Sequence, residues 1–243
     1  MASEYLKWKY RDVKPREKVE LTAEEKRRNW WDYHKWHVLI AALLFAAVFD
    51  IGKQMLHIGE VRPDVQIAYV GEDPLPGDTV SALEGALSSF IADANGDGKT
   101  IVRVVQYAGS AAGGQEAAAQ AEASHIKLLA DLEECESFLF LLENPETFQT
   151  HYQVLSYADG SLPDEEEYEM DKLCCRWTDC PALSALSLGS YREQILGETI
   201  QGESRQLLAD LFIARRGFWT EQTSDNPEMC EKLWREITKG AVQ

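Results

Sequence analysis

Three β-rich runs separated by two helix-period segments occupy residues 65–144, and this alternation constrains the fold more than any other feature of the chain. VQIAYVG (65–71) is followed by the turn Asp73-Pro74-Leu75-Pro76-Gly77-Asp78. Thr79 then caps a helical pattern with apolar residues at Val80, Leu83, Leu87, Phe90 and Ile91. DANGDG (93–98) ends that helix and TIVRVVQY (100–107) reads as a strand. A Gly-rich stretch at 109–114 leads into an Ala-rich helix over 115–133. FLFLLEN (138–144) is nearly continuous in apolar character, as in a strand buried on both faces. Strand–helix–strand–helix–strand with short connections predicts an α/β fold: a parallel-type, Rossmann-like sheet flanked by helices.

Beyond Pro145 the periodicity weakens. Residues 158–181 combine an acidic loop (Asp164, Glu165, Glu166, Glu167, Glu169) with a cysteine cluster and read as an insertion. LLADLFIARRGFW (207–219) contains a central or returning strand. A last amphipathic helix is expected from Pro227 to Lys239, with Met229, Leu233, Trp234 and Ile237 on one face.

Upstream of this region Val38–Phe49 is an unbroken apolar run, VLIAALLFAAVF. Extended to residues 36–57 it is long enough, at 1.5 Å per residue, for the ~20 residues a bilayer requires. Trp30, Trp31, Tyr33 and Trp36 resemble an interfacial belt, and the basic residues Lys26, Arg27, Arg28 and Lys35 stand before it. These features predict a transmembrane helix, with residues 1–35 as a basic cytoplasmic tail and 58–243 as an extracytoplasmic domain. A cleaved signal and a buried core helix are the competing readings. Thr22-Ala-Glu-Glu25 has the spacing of a capping box and predicts a helix start.

Charge is divided unevenly. The chain carries a net −17, yet residues 1–35 hold ten Lys/Arg against seven acids. Beyond residue 57 there are 13 basic and 33 acidic residues. A region so acidic is a poor partner for nucleic acid, whose phosphates require clustered cations.

Taken together, "VQIAYVG…LPGDTVSALEGAL", "DANGDGKTIVRVVQY" and "ADLFIARRGFW" behind an apolar segment resemble a group of membrane-anchored proteins of Gram-positive bacteria. Their outer domain is similar to one lobe of a periplasmic solute-binding protein. The resemblance implies an α/β fold and a cell-envelope location, and it brings no catalytic motif.

Two sets of residues are candidate sites. Asp93, Asn95 and Asp97, with Gly98 at the sixth position and the Lys99 carbonyl at the seventh, match the first half of a calcium loop. Ile101 and Val104 occupy the ninth and twelfth positions and offer no side-chain oxygen. The competing reading is a helix-to-strand turn that uses Asn-Gly and Asp-Gly for positive φ. The second set lies at the carboxyl ends of the three parallel strands, where open α/β sheets bind ligands. Glu72, Asp73, Gln106, Tyr107, Glu143 and Asn144 stand there and would suit a cationic or polyhydroxylated ligand.

Five cysteines occur, at 135, 174, 175, 180 and 230, and a local disulfide between Cys174 or Cys175 and Cys180 is expected in an oxidising compartment. Gly109–Gly114 matches no dinucleotide or P-loop pattern, and no G-x-S-x-G or H-E-x-x-H is present. Arg215-Arg216 is either an anion contact or paired to the domain's own carboxylates. The residues therefore point to a binding module with a structural calcium ion. The alternative is a protein-interaction subunit of an envelope complex. A concave polar pocket at the strand ends favours the first; a filled crevice with an exposed apolar patch favours the second.

Overall fold

The computed structural model describes residues 9, 22–55, 62–109, 114–164, 168–195, 198–218 and 223–241. The chain divides into two units, 1–61 and 62–243. Among the described residues of the first unit is the helix α1 (Ala23–Met55), of 33 residues. Its start is the expected capping box: the Thr22 N–H donates to Glu25 Oε2 at 2.9 Å, and the Glu25 N–H to Thr22 Oγ1 at 3.4 Å. Two otherwise orphaned helix donors are thereby satisfied, and the Thr22 contacts hold the Glu25 carboxyl below its usual range.

No helix among the described residues is long and apolar enough to cross a membrane. The strictly apolar run Val38–Phe49 covers only about 18 Å at 1.5 Å per residue, against a hydrocarbon core of ~30 Å. The helical turns before it carry Arg27, Arg28, Asp32 and Lys35. The transmembrane segment, the single-pass topology and the cell-membrane location that followed from it therefore do not stand. The aromatic residues read as an interfacial belt are exposed on the surface of this helix. Trp30 stacks on His34 at 4.9 Å, and His34 Nδ1 lies 2.9 Å from the Trp30 carbonyl oxygen. Residues 56 and 57 lie outside the described residues.

In the second unit the expected strands and helices form. They are β1 (Val65–Gly71), α2 (Gly77–Ser88), β2 (Val102–Ala108), α3 (Gln115–Glu134) and β3 (Leu139–Leu142). α4 (Pro145–Tyr152), β4 (Leu155–Ser156), α5 (Met170–Leu173) and β5 (Cys174–Arg176) follow. After a 3-10 turn at Trp177–Asp179 come α6 (Pro181–Ser184), β6 (Ser190–Ile195), β7 (Glu198–Glu203), α7 (Ser204–Leu208), β8 (Phe212–Arg216) and α8 (Pro227–Ile237).

The main sheet has the order β2-β1-β3-β8, with β4 and β5 sharing the far edge of β8. β1, β2 and β3 are parallel, as expected. β8 runs antiparallel to β3 and to both edge strands, so the sheet is mixed rather than purely parallel. β5 also shows that the segment read as an insertion supplies a strand of this sheet. β6 and β7 form a separate antiparallel hairpin.

Leu83 and Leu87 of α2 and Leu233, Trp234 and Ile237 of α8 pack on one face, against Ile67, Tyr69, Leu139, Leu141 and Ile213. Leu128 and Leu132 of α3 and Phe148 of α4 pack on the other, against Ala68, Phe140, Leu142 and Ala214. Every residue of β3 is buried, which explains its lack of polar alternation. The strand order 2-1-3, with α2 and α3 on opposite faces, makes the gap between the carboxyl ends of β1 and β3 a topological switch point.

Candidate functional site

The switch point is where a ligand crevice belongs, and it is occupied by the protein's own side chains. Glu143, the first residue after β3, turns its carboxylate into the gap. Oε1 accepts from the Tyr69 hydroxyl at 2.6 Å, and Oε2 accepts from the Glu72 N–H at 2.7 Å. The same Tyr69 hydroxyl lies 2.8 Å from the Asp73 carbonyl. Tyr69 is 1 % exposed. Burial first, and the Glu143 hydrogen bond second, push its phenol well above the usual range. A Cβ at Gly71 would lie 2.3 Å from the Tyr69 hydroxyl and 2.7 Å from the Glu143 carboxyl carbon, so this closure requires glycine there.

The remaining strand-end residues are also committed. Gln106 clasps the β1–α2 loop: Oε1 accepts from the Leu75 N–H at 2.6 Å, and Nε2 faces the Leu75 carbonyl at 3.3 Å. Asn144 caps α4 by accepting the Thr147 N–H at 3.0 Å. Tyr107 leaves the strand end altogether and donates to buried Asp131 at 2.5 Å. Asp131 also accepts from Ser137 Oγ at 2.6 Å, the Ser137 N–H at 3.0 Å and Gln66 Nε2 at 3.0 Å. Burial, then this carboxylate, raises the Tyr107 phenol. The six residues thus divide into a Glu72–Asp73–Glu143 closure, a loop clasp, a helix cap and a buried network.

Around the 93–98 loop the oxygens expected for calcium accept backbone N–H groups. Asp93 Oδ1 takes Gly96 at 2.6 Å and its Oδ2 takes Gly98 at 2.8 Å. Asn95 Oδ1 takes Asp97 at 2.9 Å, and Asp97 Oδ1 takes Lys99 at 2.8 Å. Gly96 and Gly98 have φ of 76° and 81°, which only glycine adopts without strain. Asp64, unremarked in the sequence, anchors the loop from outside. It accepts the N–H groups of Ala94, Asn95 and Ile101 at 2.7, 3.2 and 2.8 Å. Among the described residues no group of three or more His, Cys, Asp or Glu is placed to hold a metal ion.

All five cysteines are unbridged and buried in this structure, Cys174, Cys175 and Cys180 among them. Of the Gly109–Gly114 loop, residues 110–113 lie outside the described residues, as do the acidic residues 165–167. Arg215 and Arg216 are buried in β8. Arg215 pairs through both Nη atoms with Glu231 of α8 and lies 5.2 Å over the Phe138 ring. Arg216 donates from Nη2 to the Leu132 carbonyl, and burial lowers its pKa.

Sequence reasoning missed two surface features. One is an open cleft of about 740 Å³ between the start of α2 and the β6–β7 hairpin, lined by Asp78, Tyr191, Arg192, Gly202, Glu203 and Gln206, with Ser190 and Gln201. Tyr191 sits opposite Gly202 in the hairpin register, and a Cβ on Gly202 would meet its ring at 3.0 Å. The other is α3, whose outer surface exposes Ile126 (58 %) and Leu129 (45 %) beside exposed Ala119, Ala123 and Ala130. These residues recur at three- and four-residue spacing, a signal present in the sequence but indistinguishable there from a core-facing stripe. Comparison of the chain with models of protein families, with curated proteins and with solved structures gives no match.

Proposed function

We propose that the 62–243 unit is a protein-interaction module that engages its partner through the exposed apolar stripe of α3. The observation carrying this reading is the pairing of a filled crevice with an uncovered apolar helix face. The Glu143 carboxylate occupies the place where a small ligand would sit, whereas Ile126 and Leu129 present bulky side chains to solvent. Apolar residues clustered on one helix face are a common basis for helix-mediated recognition. Beyond residue 57 acids outnumber basic residues 33 to 13, which selects a partner with a basic rim. A photoreactive amino acid at Ile126, installed in the full chain and irradiated in cells, should give a discrete crosslink that Leu129→Asp abolishes. A crosslink-free result with the chain folded would refute the α3 interface.

A second reading rests on the cleft beside α2. Asp78 and Glu203 supply carboxylates, Arg192 a guanidinium and Tyr191 an aromatic face, a set that fits a small polar ligand bearing hydroxyl or amino groups. Melting against a panel of sugars, amino acids and polyamines tests it. A ligand at a hundredfold excess over its Kd raises stability by about 2.7 kcal/mol, and Tyr191→Ala should erase that shift. Calcium belongs to the same assay: a chelator-sensitive melt that Asp97→Ala makes insensitive would assign an ion to the 93–98 loop.

A further inference from the structure

Cys174 and Cys175 are adjacent in β5, and strand geometry sends them to opposite faces of the sheet. Cys174 joins the cluster under α3 and α4, with its thiol 3.3 Å from the Met170 carbonyl. Cys175, opposite Ile213 in the register, joins the cluster under α2 and α8, which also contains Cys180. The chain between the two reverses tightly. The Trp177 N–H is held by the Leu211 carbonyl at 2.8 Å, and the Cys180 N–H by the Trp177 carbonyl at 3.3 Å. This turn returns Cys180 to the same face as Cys175, and both side chains are buried in the same core cluster.

We infer that Cys175 and Cys180 are a redox pair that closes into a disulfide when the chain folds under oxidising conditions, while Cys174, Cys135 and Cys230 remain thiols. The oxidant is a low-molecular-weight disulfide. One thiolate attacks it, releasing a thiol and leaving a mixed disulfide. The second protein thiolate then attacks the mixed disulfide at the protein sulfur and releases a second thiol. The protein pair loses two protons and two electrons, and the external disulfide takes up both. Cys175 is 5 % and Cys180 0 % exposed, so the exchange belongs to folding, before the turn is covered by Trp177 and Leu183. The neighbouring Cys175 sulfur first, and burial second, raise the Cys180 thiol, which slows exchange in the folded protein.

Arg176 makes the test direct, because trypsin cuts between the two sulfurs. Cleavage after Lys172, Arg176 and Arg192 gives Leu173–Arg176 and Trp177–Arg192, which stay joined only through a disulfide. The full chain is refolded from urea in oxidised and reduced glutathione, or in excess reductant. It is then alkylated, digested and analysed by mass spectrometry. The oxidised sample should contain the joined peptide, three alkylated thiols and a melting point about 5 °C above the reduced sample. Cys174→Ser should keep the joined peptide, and Cys175→Ser should lose it. Five alkylated thiols after oxidative refolding, linkage persisting in Cys175→Ser, or an oxidised wild-type chain without a cooperative melt would each overturn the assignment. Because wild type and Cys174→Ser both carry the pair, the test does not depend on Cys175→Ser folding.

Discussion

The Glu84 carboxylate of α2 accepts the backbone N–H of Val104 in β2 at 2.8 Å, from outside the sheet. One residue pair earlier along the same edge, Ser88 Oγ accepts the Val102 N–H at 3.1 Å. β2 is the terminal strand of the main sheet, and an open row of N–H groups there would be a template for pairing with another chain. The helix that covers the edge also occupies two of its donors, the N–H groups of Val102 and Val104. Glu84→Ala should cost about 1.5–3 kcal/mol, the usual worth of a hydrogen bond to a charged group. It should also increase concentration-dependent association on size-exclusion chromatography. Glu84→Gln, which keeps an acceptor, should retain the wild-type elution profile.

Gly71 is the position at which the switch-point closure is most sensitive to volume. Its added Cβ would fall 2.3 Å from Tyr69 Oη, so Gly71→Ala must displace either the tyrosine or Glu143. Overpacking of this kind costs about 1–3 kcal/mol. Urea unfolding should show the loss as a lower midpoint with an unchanged slope.

Arg215 and Glu231 form an ion pair with unequal burial, at 6 % and 36 % side-chain exposure. Removing Glu231 strands a guanidinium inside the protein, whereas removing Arg215 leaves a carboxylate that water can reach. Glu231→Ala should therefore destabilise by about 3 kcal/mol, at the lower end for a broken buried pair. Arg215→Met, which preserves volume over Phe138, should cost clearly less. Equal losses in denaturant titrations would contradict this asymmetry.

Asp159 accepts from the hydroxyl of Ser161 at 2.6 Å and from its N–H at 2.9 Å. These bonds, the hydroxyl's first, with a smaller contribution from Arg215, hold the carboxyl below its ordinary value. A depressed carboxyl stabilises the fold fully above its unfolded pKa of about 3.9 and loses that contribution as pH falls through the lower folded value. The Asp159 resonance should titrate below the usual aspartate midpoint in the wild type. In Ser161→Ala it should move back towards that midpoint.

Local pattern was enough to locate β1, β2, β3, α2, α3 and α8, because period-2 and period-3.6 spacing of apolar residues is written over short stretches of chain. Boundaries moved slightly: α2 begins at Gly77 and stops at Ser88, leaving Phe90 and Ile91 packed beyond its end. Cys230, Leu233, Trp234 and Ile237 in α8 are buried as a single stripe, and the Thr22–Glu25 capping box formed because its contacts lie within one turn. The apolar run at 38–49 was legible too, but its extension to 36–57 was overread, since the turn that follows Phe49 carries Asp50 and Lys53.

The remainder required contacts distant in sequence. Nothing near Phe212–Arg216 announces that the strand enters antiparallel beside β3, or that two arginines become buried there by pairing with Glu231 and the Leu132 carbonyl. Tyr69 and Glu143 are 74 residues apart, and only the parallel register of β1 with β3 brings them together. Of the strand-end residues that read as ligand-binding groups, Gln106, Tyr107, Glu143 and Asn144 direct their side chains to the protein's own donors and acceptors. A polar side chain at a sheet's carboxyl edge satisfies whichever donor or acceptor folding places nearest, and that neighbour is set by topology rather than by the residue's own type.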